Sequence, residues 1–255
     1  MPLEILTIPC LSDNYAYLVH DSVSGETAVV DVPEADPVIR ALNAKGWNLT
    51  QIQITHHHPD HIMGVAKLVE AYGTPIIGAK ADMHRLPHLE LGVEENDTFA
   101  LGNQPVQVYD VSGHTVGHIA YYYPEANAVF SGDSLMALGC GRLFEGDAPM
   151  MWGSLSKMME LPPETLVYSG HEYTAANAKF ALSIEPNNQA LIDRARDISE
   201  FRARNEPTVP CSLALELATN PFLRARLPEV KALVGMEDAP DAEVFGEIRQ
   251  RKDNF

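Results

Sequence analysis

The amino-acid sequence predicts an α/β domain of mixed sheets, followed by a smaller helical domain. Strand and helix patterns alternate from the start of the chain to about Glu172. Beyond Glu172 the spacing is helical, prolines interrupt it, and almost no strand pattern remains. A chain of 255 residues is long enough for one large domain with a smaller one attached. We therefore expect a first domain over residues 1–172 and a second over residues 173–255.

The first half of the large domain begins with three predicted strands, because short runs rich in Val, Ile, Leu and Tyr are separated by turn residues. These strands are Leu3–Pro9, Asn14–His20 and Glu26–Val32. A helix is predicted next, because helical apolar spacing ends at a glycine. In chain order the helix Pro37–Gly46 is followed by the strand Gln51–Thr55, the helix Met63–Gly73 and the strand Pro75–Gly78. Residues 79–104 have a mixed pattern, for which we expect a helix and then a loop.

The second half of the large domain repeats the strand pattern around a single helix. The predicted strands are Val106–Val111, Ile119–Tyr123, Ala128–Phe130 and Thr165–Ser169, and the helix is Met151–Leu161. The small domain has helical spacing throughout. Its candidate helices are Thr174–Ile184, Asn188–Asn205, Leu213–Leu217 and Asp241–Lys252.

The composition excludes several classes of protein. A formal net charge of −17 argues against a general nucleic-acid binder, which needs a basic face. No apolar stretch approaches membrane-spanning length, and the N-terminal segment lacks the basic and apolar parts of a secretory signal. The three cysteines are widely separated, so we expect buried, inert thiols in a reducing compartment, the cytoplasm. A monomer without nucleic-acid or membrane partners is expected.

The segment Thr55-His56-His57-His58-Pro59-Asp60-His61 points to metal binding. Its histidines directly follow a predicted strand, where side chains two positions apart project to the same side. His56 and His58 can therefore hold one ion together. Asp60 and His61 come after Pro59 turns the chain, so they point elsewhere and can serve a second ion. His57 lies between ligand positions, and we interpret it as a supporting or solvent-facing residue.

Three later segments of the same character follow predicted strands and supply His114, Asp133 and His171. Five histidines and two carboxylates suit borderline divalent ions, namely zinc, iron or manganese. If Asp133 bridges two ions, each ion keeps an open coordination position, which is typical of a catalytic site. His118 lies in Gly113-His114-Thr115-Val116-Gly117-His118 and is expected to orient a ligand. A lone histidine is more often structural, but this combined pattern is not explained by packing.

These motifs resemble those of the metallo-β-lactamase superfamily. The resemblance narrows to the hydroxyacylglutathione hydrolases, the glyoxalase II family, because further segments are similar from Asp13 to the last residue. The segments are Gly139-Cys140-Gly141-Arg142-Leu143-Phe144-Glu145-Gly146, His171-Glu172-Tyr173 with Asn177 and Phe180, Leu217–Leu223, and Arg249 to Phe255. The resemblance implies an αββα sandwich of two mixed sheets flanked by helices, with a small C-terminal helical domain that binds glutathione.

The resemblance also implies a role for each site residue. His56, His58 and His114 would hold one ion, and Asp60, His61 and His171 a second, with Asp133 bridging the two. Contacts to glutathione would come from Arg142, Phe144, Tyr173, Arg249 and Lys252. Many family members have Lys and Tyr where this chain has Arg142 and Phe144. Because phenylalanine has no hydroxyl, any side-chain hydrogen bond to the substrate at that position is lost.

The implied activity is hydrolysis of glutathione thioesters, converting S-D-lactoylglutathione to D-lactate and glutathione in methylglyoxal detoxification. Two divalent ions, zinc first among them, would generate a hydroxide from water and polarise the carbonyl. Asp60 is expected to orient this nucleophile and accept its proton. The basic tail around Arg249 and Lys252 would attract the carboxylates of glutathione, although a solvated helix face explains the same charges equally well.

Three alternatives remain open at this level. A lactonase or β-lactamase-like hydrolase would share the metal ligands but would not need the basic helical tail. A glutathione persulfide dioxygenase uses a single iron, whereas Asp60 and His61 favour a second ion. A metal-storage protein would bind ions without catalysis, but ligands that follow four separate strands are typical of a catalytic site.

Overall fold

A computed structural model describes residues 3–255 of the chain. Met1 and Pro2, at the start of the segment where no secretory signal is expected, lie outside the described residues. The chain forms two compact units. Unit 1 contains the chain up to Asp110 together with Gly117–Gly132, and unit 2 contains Val111–Val116 together with Asp133–Phe255. The expected domain boundary at residue 172 stays a prediction.

Unit 1 contains a six-stranded mixed sheet. Its strands are β1 (Leu3–Cys10), β2 (Asn14–Asp21), β3 (Thr27–Val30), β4 (Gln51–Gln53), β5 (Ile76–Ala79) and β6 (Leu91–Val93), in that spatial order. The first three strands pair antiparallel and the last four pair parallel, β3 belonging to both groups. Strands β2, β3 and β5 are almost wholly buried, which explains their nearly continuous apolar sequences.

Three helices belong to the same unit, α1 (Ala35–Lys45), α2 (Pro59–Ile62) and α3 (Val65–Tyr72). Helix α1 ends at Gly46, whose φ of 67° is left-handed, as expected for a glycine that terminates a helix. Val38 and Leu42 of this helix are fully buried in one core cluster with Val29, Ile52 and Leu68. The burial of this apolar face holds the helices against one face of the sheet.

A second, antiparallel set of strands completes unit 1. These strands are β7 (Thr98–Leu101), β8 (Gln104–Asp110), β9 (Ile119–Tyr123) and β10 (Ala128–Gly132). The buried Tyr121 hydroxyl lies 2.8 Å from the Ile54 carbonyl, and the Tyr123 hydroxyl donates to the Gln53 side chain at 2.9 Å. These hydrogen bonds attach β9 to the end of β4, directly before the histidine segment begins.

Unit 2 is mainly helical. Its strands are the short pair β11 (Leu135–Met136) and β12 (Gly139–Cys140), and the pair β13 (Leu166–Ser169) and β14 (Cys211–Ser212). Its helices are α4 (Ala148–Met159), α5 (Thr174–Ile184), α6 (Gln189–Ala203), α7 (Leu213–Thr219), α8 (Pro228–Val234) and α9 (Asp241–Asp253). Asp147, Asn188 and Ser212 cap α4, α6 and α7 by accepting hydrogen bonds from backbone amides.

The prediction of a helix within residues 79–104 is wrong. The structure has only a 3-10 turn at Lys80–Asp82, followed by the strands β6 and β7. The acidic run between these strands forms a turn in which Asp97 accepts from the Glu94 amide at 2.9 Å. The strands β6 and β7 are mostly exposed or half-buried and flank this acidic run, so they lack the continuous apolar sequence that marks β3 and β5, and the sequence did not predict them. The helix α8 was likewise not predicted.

The burial of the cysteines agrees with the expectation from composition. All three cysteines are buried. Burial raises the pKa of the Cys10 and Cys140 thiols to about 11 and raises the pKa of the Cys211 thiol well above its usual value. The prediction of buried thiols is confirmed. None of the helices described over residues 3–255 is long and apolar enough to span a membrane.

Candidate metal centre

The histidine segment begins one residue after Ile54 and leads into helix α2. Pro59 occupies the first turn of that helix, where its missing amide hydrogen costs nothing. His56 Nε2 lies 3.1 Å from His58 Nδ1, and the His56 ring is fully buried. The two nitrogens are close enough to share one ion. Both rings project to the same side of the chain, the arrangement that their spacing predicts.

Asp31 orients this segment, and the sequence reasoning missed it. Its Oδ1 accepts from the Thr55 amide at 2.8 Å, and its Oδ2 accepts from the Thr55 hydroxyl at 2.7 Å. The same Oδ2 lies 2.8 Å from Nδ1 of the fully buried His61. A carboxylate on Nδ1 fixes the ring and leaves Nε2 facing the opposite way, as metal-binding histidines require. Asp31 directly follows β3, so its place after an apolar strand was an available signal.

Asp60 is held by Asn14, the first residue of β2. Asn14 is a second residue that the sequence reasoning missed. The Asn14 side-chain amide donates to Asp60 Oδ2 at 3.0 Å and to the Asp60 carbonyl at 3.1 Å. Asp60 Oδ2 lies 3.9 Å from His61 Nε2, the nitrogen that Asp31 leaves facing away. A carboxylate oxygen and an imidazole nitrogen therefore converge, as the pairing of Asp60 with His61 predicts.

Two further histidines of unit 1 have supporting positions. His118 is fully buried and stacks on the His56 ring, with ring centroids 4.5 Å apart and planes inclined by 14°. This contact agrees with the expected orienting role. His57 Nδ1 lies 2.9 Å from the buried carboxylate of Asp82, so His57 is supported from within the protein rather than facing solvent freely.

Unit 2 brings together the other three predicted ligands. Asp133 Oδ2 lies 3.2 Å from His171 Nε2 and 3.6 Å from His114 Nε2, and all three side chains are buried. His114 Nδ1 donates to the Arg142 carbonyl at 2.8 Å, which leaves its Nε2 directed at Asp133. A carboxylate placed between two imidazoles is the arrangement that the bridging role of Asp133 predicts.

Gly141 makes this arrangement of unit 2 possible. A Cβ atom at this position would lie 2.1 Å from the Asp133 carbonyl oxygen and 2.7 Å from His114 Nδ1. Both distances are shorter than van der Waals contact allows. Only glycine lets the chain pass between the two ligands.

Three residues predicted to contact substrate lie close to these ligands in unit 2. Tyr173 stacks on His171, with centroids 4.6 Å apart and planes inclined by 7°. The Phe144 ring is 63% exposed, and its centroid lies 5.2 Å from that of His114. Arg142 is exposed. These side chains are accessible to a small molecule beside His114 and His171.

The two basic residues of helix α9 have different surroundings. Arg249 is only 5% exposed, donates to the Cys140 carbonyl at 3.0 Å and pairs with Asp253 at 2.8 Å. Lys252 is partly exposed, and its ammonium lies 5.2 Å and 5.5 Å from the ring centroids of Phe180 and Phe255. Burial, Arg249 and Arg142 lower the pKa of Lys252.

The donor set of each unit fits divalent ions. Imidazole nitrogens and carboxylate oxygens are the ligands that zinc, iron and manganese accept. In unit 1, His56 Nε2 lies 3.1 Å from His58 Nδ1, and Asp60 Oδ2 lies 3.9 Å from His61 Nε2. In unit 2, the imidazole nitrogens of His114 and His171 converge on one oxygen of Asp133. Ligand chemistry of this kind does not distinguish among these metals.

Comparisons with known families and sequences support the same interpretation. Residues 12–171 match the model of the metallo-beta-lactamase superfamily, and residues 172–255 match that of the hydroxyacylglutathione hydrolase C-terminus. A protein of Ruegeria pomeroyi named hydroxyacylglutathione hydrolase is 60% identical over 255 residues and is covered completely, as is this chain. A Rhizobium meliloti protein of the same name is 50% identical over 99% of both chains.

Solved structures establish the fold. The B3 metallo-beta-lactamase BLEG-1 superposes with a TM-score of 0.67 at 21% identity, covering 86% of this chain and 99% of its own. The structure of TTHA1623 in a di-iron-bound form superposes with a TM-score of 0.56 at 30% identity, covering 66% of this chain and 91% of its own. The predicted fold class is confirmed, with two sheets of strands and flanking helices. The chain belongs to the hydroxyacylglutathione hydrolase family, within the metallo-β-lactamase superfamily.

Proposed function

We propose that the protein hydrolyses S-(2-hydroxyacyl)glutathione thioesters, releasing D-lactate and glutathione from S-D-lactoylglutathione, the second step of methylglyoxal detoxification. Membership of the hydroxyacylglutathione hydrolase family supports this activity. The observation that carries it is the buried Asp133 carboxylate between the His114 and His171 imidazoles. A carboxylate with an imidazole on either side suits a centre of two cations, because both ions would share the carboxylate and each would take one imidazole.

We propose that seven residues hold two divalent ions. These ligands are His56, His58, Asp60, His61, His114, Asp133 and His171. Zinc is our first choice, because it accepts mixed His and Asp ligands and keeps an open position for catalysis. Iron is a second choice, because the related TTHA1623 has been solved in a di-iron-bound form.

Bound divalent ions would lower the pKa of water towards 7 and polarise the thioester carbonyl. The chain itself holds the reacting groups in place. The Asp60 carboxylate is the proposed proton acceptor for the attacking water, and Asn14 fixes its orientation. Asp31 and the Arg142 carbonyl fix the rings of His61 and His114. The leaving thiolate needs no strong acid, and we assign none.

The proposed contacts to the glutathione part are Arg142, Phe144, Tyr173, Arg249 and Lys252. Arg142, Phe144 and Tyr173 are accessible beside the ligand histidines, which supports their role. Phe144 can offer only its ring and its backbone, because it lacks the hydroxyl of tyrosine. Lys252 supplies a partly buried ammonium for a substrate carboxylate, which offsets the repulsion expected from a net charge of −17.

We also propose a cytoplasmic monomer that acts on a small molecule. A reducing compartment suits its three buried thiols, and glutathione is abundant in such a compartment. Size-exclusion chromatography with light scattering would test the monomer. A stable dimer would contradict it.

One experiment tests the activity and the metals together. The purified protein is analysed for zinc, iron and manganese, and its cleavage of S-D-lactoylglutathione is followed before and after chelation. We expect about two ions per chain and loss of turnover on chelation that added metal restores. A lactone and a glutathione persulfide serve as competing substrates. Faster turnover of either one, or full activity without metal, would contradict the proposal.

A further inference from the structure

The hairpin formed by β11 and β12 lies in sequence between Asp133 and Arg142, two residues that shape the site in unit 2. Its turn contains Leu138, which is fully buried and has a left-handed φ of 54°. A branched apolar residue adopts this conformation only where its surroundings hold it. The hairpin is therefore held in place by other parts of unit 2.

Polar side chains from helix α7 and the residue that follows it bind the backbone of this turn. Glu216 Oε2 accepts from the Leu138 amide at 2.9 Å. The Asn220 side-chain amide donates to the carbonyls of Met136 and Gly139 at 3.2 and 3.0 Å. Both side chains are fully buried. Since Glu216 and Asn220 lie about 80 positions along the chain from the turn, only tertiary packing creates these contacts.

Neighbouring groups fix the Glu216 carboxylate in turn. Its Oε1 is bound by the guanidinium of the buried Arg194 and by the Cys211 thiol at 3.0 Å, and its Oε2 also accepts from Asn220 at 2.9 Å. Arg194 donates in addition to the Thr219 hydroxyl at 2.6 Å. A buried charge that is paired and fully hydrogen-bonded is costly to move, so the network is rigid.

Asn177 of helix α5 binds the same turn from a different element. Its side-chain amide donates to the Ala137 carbonyl at 3.0 Å, and it is 7% exposed. Asn177, Glu216 and Asn220 together engage the backbone of four successive residues, 136 to 139. The hairpin is thus stabilised by side chains from the helical part of unit 2 in addition to its own backbone hydrogen bonds.

Because the hairpin is held in place, the residues that precede and follow it, Asp133 and Arg142, are held in place as well. The Gly141 amide donates to the Ser134 carbonyl at 3.2 Å, which closes the hairpin directly after Asp133. The next residue, Arg142, offers the carbonyl that orients the His114 ring. A shift of the hairpin would therefore move the Asp133 carboxylate and release the His114 imidazole at the same time.

We propose that Glu216, Asn220 and Asn177 are positioning residues that hold the Leu135–Cys140 hairpin so that Asp133 and His114 are set for metal binding. The inference rests on the proposed function. It differs from a purely structural role, because it predicts a loss of metal affinity that does not follow from a loss of stability. Residues that orient metal ligands from outside typically contribute about 10- to 100-fold to metal affinity or activity.

The test compares Asn220→Ala and Asn177→Ala with the control Asn188→Ala. Asn188 is also a partly buried asparagine of unit 2. It caps α6 and donates to the Ala218 carbonyl of α7 at 3.0 Å, so it supports the same helix without binding the backbone of residues 136 to 139. Zinc affinity of the full-length protein is measured by competition with a chromophoric chelator. The Tm of each protein and the kcat and KM for S-D-lactoylglutathione are measured in parallel.

We expect Asn220→Ala to weaken zinc binding and lower kcat by about tenfold or more, with a smaller effect for Asn177→Ala. Asn188→Ala should lower Tm and leave zinc affinity nearly unchanged, because the bond that it removes holds the Ala218 carbonyl of α7 and not the backbone of the hairpin. If Asn220→Ala does not fold, Asn177→Ala alone decides the outcome. Wild-type zinc affinity in both hairpin variants, or equal losses in the control, would overturn the inference. A wild-type protein that binds no zinc would instead contradict the proposed function.

Discussion

At the scale of single residues, burial decides what a charged side chain can do. Arg249 and Lys252 lie three positions apart on helix α9, yet Arg249 is buried and Lys252 is partly exposed. Arg249 donates to the Cys140 carbonyl and pairs with Asp253, so its charge already has partners inside unit 2. Its role in substrate binding stays a prediction, and its removal should affect stability as well.

Arg249→Ala therefore has two expected consequences. The Cys140 carbonyl loses a charged donor, which should lower the free energy of unfolding by about 1–3 kcal/mol. If Arg249 also contacts the substrate, KM rises much more than kcat falls. The exposed Arg196, paired with Asp193 and Asp197 on the surface of α6, provides the control Arg196→Ala, for which little change is expected. Chemical denaturation and steady-state kinetics measure both effects, and an unchanged KM would rule out the substrate contact.

Lys252 should make substrate binding dependent on pH at the alkaline end. Its pKa is lowered, chiefly by burial and then by Arg249 and Arg142, so the ammonium loses its proton at a lower pH than an exposed lysine does. The positive charge is present below this pKa, and KM should rise as the pH increases through it. Lys252→Arg keeps its charge at every accessible pH, so its KM should stay flat there. Identical KM profiles for the two proteins would contradict this account.

At the scale of elements, the space around each glycine decides whether a larger side chain can replace it. Gly141 follows β12, and a Cβ there would overlap the Asp133 carbonyl and the His114 ring. Gly153 lies in helix α4 with open space around it. We expect Gly141→Ala to destabilise the protein by about 1–3 kcal/mol and to weaken metal binding. Gly153→Ala should stabilise it by up to about 1 kcal/mol, because alanine favours helix.

Thermal unfolding and metal titration of both glycine variants separate these expectations. Both substitutions add the same methyl group, so the difference between them reports the surroundings alone. If Gly141→Ala bound metal as well as wild type, the close approach of the chain to His114 would not matter for the site.

Most elements were predictable because their signals are local. The end of α1 at Gly46 and the strand Ile119–Tyr123 follow from patterns within a few residues. The strands β6 and β7 were not predictable, since most of their residues are exposed or half-buried and they carry no continuous apolar run. The hairpin of β11 and β12 was missed because strands of two residues show no period at all, although this hairpin carries the turn that Glu216 and Asn220 hold.

At the scale of the whole molecule, bound metal should be part of the stability of the fold. Ions that bind only the native protein stabilise it by about 4 kcal/mol at a thousandfold excess over Kd, which for a chain of this size corresponds to roughly 10 °C in Tm. Removal of metal with a chelator should therefore lower Tm by that order, and added zinc should restore it. Calorimetry measures the change. A Tm that chelation leaves unaltered would mean that the ligands are held without metal.

The sequence by itself determined the fold class, the family and the set of candidate ligands, because spacing after strands, glycine-flanked histidines and apolar periodicity are all local properties. Tertiary structure alone decided which side chains orient those ligands. Asp31 on His61, Asn14 on Asp60 and Glu216 on the Leu138 turn join residues 30, 46 and 78 positions apart. It also decided that Arg249 is enclosed while Lys252 is partly exposed. Contacts over such separations arise only when the chain packs, since no short-range preference relates their positions.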